Sequence, residues 1–135
     1  GTITWTNTTV TGSGTRSWNR KVTDGKITAA DGKYWLHTSN IDITQTAGVS
    51  TPLDITDDIF LLAGTRTVKN AAGKSRTGTT QTPLQKKTNC NNIDQGILKI
   101  EGPNHYALID FGNGTCDKLA TISIDGRTAR TIILR

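Results

Sequence analysis

The first strong signal is an alternation of large and polar side chains with period two. In "TITWTNTTV", residues 2–10, Ile3, Trp5 and Asn7 fall on one side and threonines on the other, the pattern of a half-buried strand. "GTRSWNRKVTDGKIT", residues 14–28, continues with a strand around Trp18. Asp24-Gly25 supplies the two positive-φ positions of a tight type I′ hairpin. A further strand starts after Asp31-Gly32 and runs through Tyr34, Trp35 and Leu36 to Ile43. Residues 47–58 read as a turn-rich connection around Thr51-Pro52, followed by a strong strand in "DDIFLLAGTRTVKN". The stretch "AAGKSRTGTTQTPLQKKTN" carries few apolar residues. Its first half predicts a returning strand and its second half a loop. "IDQGILKIEG", "HYALIDFG", "KLATISIDG" and "RTARTIILR" then predict four strands in a meander, the last two joined through Asp125-Gly126.

Composition sharpens this picture. Only 33% of the 135 residues are hydrophobic and 25 are threonine, a β-branched residue suited to the solvated face of a sheet. No stretch shows helical spacing. Residues 1–135 therefore predict a single all-β domain of about nine to ten antiparallel strands, arranged as a β-sandwich or, alternatively, a partly open barrel. Gly-Thr-Arg occurs at 14–16 and again at 64–66, which reads either as coincidence or as the trace of a degenerate duplication.

The net charge of +5 is spread along the chain without a basic block. It reads as a solubilising surface, with a polyanion or acidic-glycan surface as the alternative; nucleic acid is not an expected partner. No apolar run approaches a membrane span. The lack of any methionine, position 1 included, reads as a processed or trimmed chain, which leaves room upstream for a lipid anchor or a carrier domain.

Candidate chemistry is sparse. Cys90 and Cys116 are the only cysteines, and an even pair in a chain of this composition predicts a disulfide and an exported protein; two free buried thiols are the alternative. "LIDFGNGTCD" places Asp110, Asn113 and Asp117 around a glycine-rich turn. These three could offer oxygens to calcium, but the EF-hand spacing is not met, and short polar side chains beside glycine more often accept turn N–H bonds. The Asp-Phe-Gly word at 110–112 lacks every other kinase motif. No nucleophile elbow is present, His37 and His105 read as strand and turn residues, and the adjacent Asp57 and Asp58 would point apart on a strand. No catalytic residue, resident cofactor or metal is therefore expected. Trp5, Trp18, Tyr34 and Trp35 are the best candidates for contacting a glycan or a partner protein, and Tyr34 and Trp35 should face opposite sides of their strand.

The C-terminal part also carries a resemblance. "CNNIDQGILKIEG", "YALIDFGNGTCDKLATISIDGR" and "TIIL", with "DDIFLLAGTRTVKNAAGKSRTGTTQTPL" upstream, resemble exported all-β proteins of Bacteroidetes-type bacteria, many of them predicted lipoproteins. The matching residues are Gly64 to Arg66, Thr82 to Leu84, Cys90, and Phe111 to Asp117. The likeness spans roughly residues 55–135. It implies export to the periplasm, the outer-membrane surface or the extracellular space, with another envelope or surface protein as partner, and no enzymatic activity to carry over. The expected function is a non-catalytic structural or protein-interaction module; a carbohydrate-binding module is the alternative.

Overall fold

The structure, a computed structural model, describes all residues from Gly1 to Arg135. It is all-β, with nine strands: β1 (Thr2–Asn7), β2 (Arg16–Thr28), β3 (Tyr34–Ala47), β4 (Ile59–Asn70), β5 (Ser75–Lys87), β6 (Gln95–Glu101), β7 (Tyr106–Asn113), β8 (Leu119–Ile124) and β9 (Arg130–Ile133). They form one antiparallel sheet in chain order. β1 and β9 form its two edges, each paired on one side only. Extended packing joins strands that are neighbours in the chain.

Two local expectations are corrected. Asp24-Gly25 is not a hairpin turn. β2 pairs with β3 on both sides of it, and the register slips between Val22 and Gly25, a bulge that uses the positive φ of Asp24 (52°). The hairpin turn lies instead at Ala30–Lys33, where the Ala29 N–H donates to the Lys33 carbonyl and Gly32 takes the positive φ. The second half of 71–89 is not a loop either, because β5 continues through Pro83 to Lys87. Pro83 lacks an N–H, and it sits where the pairing with both β4 and β6 shifts register, so no ladder bond is missing one.

Two glycines are fixed by close backbone approach. A Cβ on Gly64 would collide with the Asn40 carbonyl oxygen of β3, and one on Gly96 with the Pro83 carbonyl of β5. Gly64 also has φ 146°, which other residues rarely adopt. The two Gly-Thr-Arg words are not in equivalent places. Arg16 is the first residue of β2, whereas Gly64–Arg66 sits in the middle of β4.

The core is thin. Among hydrophobic residues only Cys90, Leu98 and Ala120 are buried. The accessible surface is 8951 Å². A compact monomer of 14.5 kDa would expose about 6900 Å², so the chain carries roughly 2000 Å² beyond that expectation.

Candidate interaction face

Cross-strand partners share a face, so the pairing register assigns the paired strand residues to one side of the sheet or the other. One row runs Asn7–Trp18–Ile43–Leu62–Leu84, the next Trp5–Arg20–Ile41–Gly64, and the next Ile3–Val22–Ser39–Arg66–Gly78–Ile100–Ala107–Ile124. Towards the far end of β3 the same side carries His37–Val68–Arg76 and Ile27–Trp35–Asn70. This face is mainly apolar and holds all three tryptophans. The opposite face carries rows of Thr, Asn and Lys, for example Lys21–Asn40–Thr65–Thr79–Lys99.

Trp5 and Trp18 are diagonal neighbours, about 7–8 Å apart at the backbone by ordinary sheet geometry. Trp5 is 59% exposed, and the Arg20 guanidinium lies over its ring, 5.9 Å from the centroid. Trp35 is eight residues along β3 from Ile43, the partner of Trp18, and so belongs to another part of the face. Tyr34 points to the opposite side, where Lys26 sits over its ring at 4.5 Å. Three of the four aromatic candidates thus share a face, two of them adjacent, and the fourth does not join them.

Charge is sorted between the two sides, a feature sequence reading did not find. Arg16, Arg20, Arg66, Arg76 and Arg130 fall on the tryptophan face. Lys21, Lys26, Lys69, Lys87 and Lys99 fall on the other, together with Asp42, Glu101 and Asp110. Lys86 shares the arginine side but donates its ammonium to the carbonyls of Lys87 and Cys90. Asp58, just before β4, accepts through its Oδ1 from Gln45, which pairs with Arg16 and so lies on that side. No arginine takes part in an ion pair, and the buried Nε of Arg20 has no hydrogen-bond partner. The signal could not be read from spacing within any one strand, since the pairing register between strands decides which positions share a side.

Asp110, Asn113 and Asp117 line a shallow cavity of about 290 Å³ together with Phe111, Leu119 and Thr131. Each serves its own turn. Asp110 accepts the Gly112 N–H, Asp117 the Leu119 N–H, and Asn113 the Thr115 hydroxyl. Cys90 and Cys116 form a disulfide with Cα atoms 6.0 Å apart. Beside it lies a residue that sequence reading passed over. Asp94, fully buried, accepts from Gln85 at 3.0 Å and has Lys87 Nζ 3.1 Å from its Oδ2, an ionic contact not aligned as a hydrogen bond. Lys87 also donates to the Gly114 carbonyl, so the same group of residues ties the β5–β6 connection to the β7–β8 connection.

Asp54, Asp57, His105 and Asp125 are held in turns. His105 Nδ1 lies 2.5 Å from Asp125 Oδ2, and the Tyr106 N–H donates to Asp125 Oδ1. The Tyr106 N–H bond first, then His105 and the Arg127 charge, hold the Asp125 carboxyl below its ordinary range. Asp54 is lowered too, by the hydroxyl and N–H of Thr56. Asp57 accepts from Thr51. No helix is long and apolar enough to cross a membrane.

No family model, curated protein or solved structure matches the chain.

Proposed function

We propose that the chain is a non-catalytic protein-interaction module, exported to a bacterial envelope or surface, that docks through its tryptophan-bearing face. The observation that carries this reading is the incompletely covered apolar face. A surplus of roughly 2000 Å² over a compact monomer exceeds the roughly 800 Å² that one partner gives to a standard interface. The composition of the face supports a protein partner: it is rich in Trp and Arg and poor in Asp and Glu, as interface cores are. The Cys90–Cys116 disulfide supports an oxidising compartment outside the cytoplasm. Asp57, Asp58 and His105 are engaged in separate local contacts, and His37 lies apart from them within β3, which supports a binding role.

The test compares two variants that keep the native circular dichroism spectrum. Ile43→Asp places a charge on the docking face, and Thr44→Asp places one on the other side of the same strand. An envelope protein captured by the native chain should be lost with Ile43→Asp and retained with Thr44→Asp. An identical set captured by all three sinks the reading. A glycan-binding reading draws on one observation, the exposed Trp5 beside Trp18, whose rings could stack on sugar. Binding on a glycan array that vanishes with Trp5→Ala would favour it.

A further inference from the structure

We propose that the partner of this face is an acidic polypeptide surface, whose carboxylates are received by Arg20, Arg66 and Arg76. The inference rests on the docking role proposed above and specifies the chemistry of what docks.

The three arginines form a diagonal across strands β2 to β5. Arg66 pairs with Gly78, and Arg76 is two residues from Gly78, which sets the two arginines about 7–8 Å apart at the backbone. Arg20 lies in the row Arg20–Ile41–Gly64, two strands and one row from Arg66, or about 12 Å. A Cβ placed on Gly78 would lie in ordinary contact with the Arg66 side chain, 3.5 Å from its Cγ and 3.6 Å from its Nε, so the Arg66 stem passes over Gly78. The stem therefore lies along the sheet, and Arg66 is exposed. Arg20 rests on Trp5, and Arg76 borders a cavity with Trp35 and Val68.

Within the protein none of these guanidiniums is in an ion pair. The acidic residues in strands that have a definite side, Asp42, Glu101 and Asp110, all lie on the opposite face. That face can satisfy its own charges: Asn19 donates to Asp42 and Lys99 pairs with Glu101. Arginine rather than lysine on the apolar side fits a surface that becomes dehydrated, since guanidinium is more weakly hydrated and meets carboxylates in a two-pronged geometry. Charge complementarity thus selects the occupant. A second copy of this chain meeting face to face would set arginines against arginines, which disfavours self-association through it. A polysaccharide strand would cover a narrow strip and leave most of the aliphatic positions, among them Ile43, Leu62, Ile100 and Ile109, in water.

The test uses the intact protein with poly-L-glutamate as probe, followed by tryptophan fluorescence and calorimetry at low salt. Two triple variants remove the same charge from opposite faces: Arg20→Ala with Arg66→Ala and Arg76→Ala, and Lys21→Ala with Lys69→Ala and Lys99→Ala. The arginine triple should weaken binding at least about tenfold and the lysine triple less than about twofold, because only the first set faces the ligand. Equal losses would mean that net charge alone attracts the probe and would overturn the assignment. So would binding of poly-L-glutamate no tighter than that of an uncharged polypeptide of the same length. Polygalacturonate bound more tightly than poly-L-glutamate, with the same arginine dependence, would reassign the face to acidic polysaccharide. Failure of the docking role itself is read separately, from the Ile43→Asp comparison, which leaves these arginines in place.

Discussion

At the scale of single residues the turn residues carry the most definite chemistry. Asp125 occupies the β8–β9 turn with φ 52°, and its carboxylate takes the Tyr106 N–H and faces His105. Its folded-state pKa lies below the ordinary 3.8, so its contribution to stability is complete above that value. As pH falls through the lowered folded-state pKa, the contribution is lost. Urea midpoints of the native chain and of Asp125→Asn should therefore differ at neutral pH and converge in acid below the ordinary aspartate range. A gap that stays constant or widens there would contradict the role given to this carboxylate. The effect is small, because water screens an exposed charge. The turn itself was legible from the Asp125-Gly126 pair. The His105 contact was not, since it joins residues twenty apart across two hairpins.

At the scale of elements, most strands were legible because one side of each is apolar. β5 is the exception. Its Thr77, Thr79, Thr80 and Thr82 look alike whichever face they take, so the alternation that marks a strand is absent, and Pro83 argues against one. Asp24-Gly25 misled for the opposite reason, since a bulge and a type I′ turn ask for the same positive φ. The arginine face was hidden because the arginines lie on different strands, and only the pairing between strands shows that they share a side. The disulfide was legible as a pair, but its mechanical role needed the topology. In a sheet where strands pack against chain neighbours, Cys90–Cys116 ties two connections across β6 and β7. With a sequence separation of 26, replacing both cysteines by serine should cost about 3.5 kcal/mol in the chain-entropy picture. Urea unfolding at matched pH measures it. A loss under about 1 kcal/mol would mean that the Asp94–Lys87–Gln85 contacts hold the two connections together without the covalent bond.

At the scale of the whole molecule, a meander with open edges behaves like a one-dimensional stack. Each strand draws its stability from its neighbours, so strands at the ends have half the support of those inside. β1 is the weaker end: all six residues are exposed, and its partner β2 is its sole neighbour. β9 has four residues and likewise one neighbour. β5 and β6 are flanked on both sides and secured by the disulfide. Native-state hydrogen exchange should therefore grade along the sheet. The paired amides of β1 and β9 should exchange at least about tenfold faster than those of β5, a difference of about 1.4 kcal/mol in opening free energy. Bound partner should slow exchange first in the strands that carry the arginine diagonal, β2, β4 and β5, because ligation stabilises the conformation that binds. Uniform protection over all nine strands of the isolated chain would count against both ideas. It would mean that the edges and the tryptophan face are already covered, by closure of the sheet on itself or by a second copy, and that the surplus surface is not kept free for a partner.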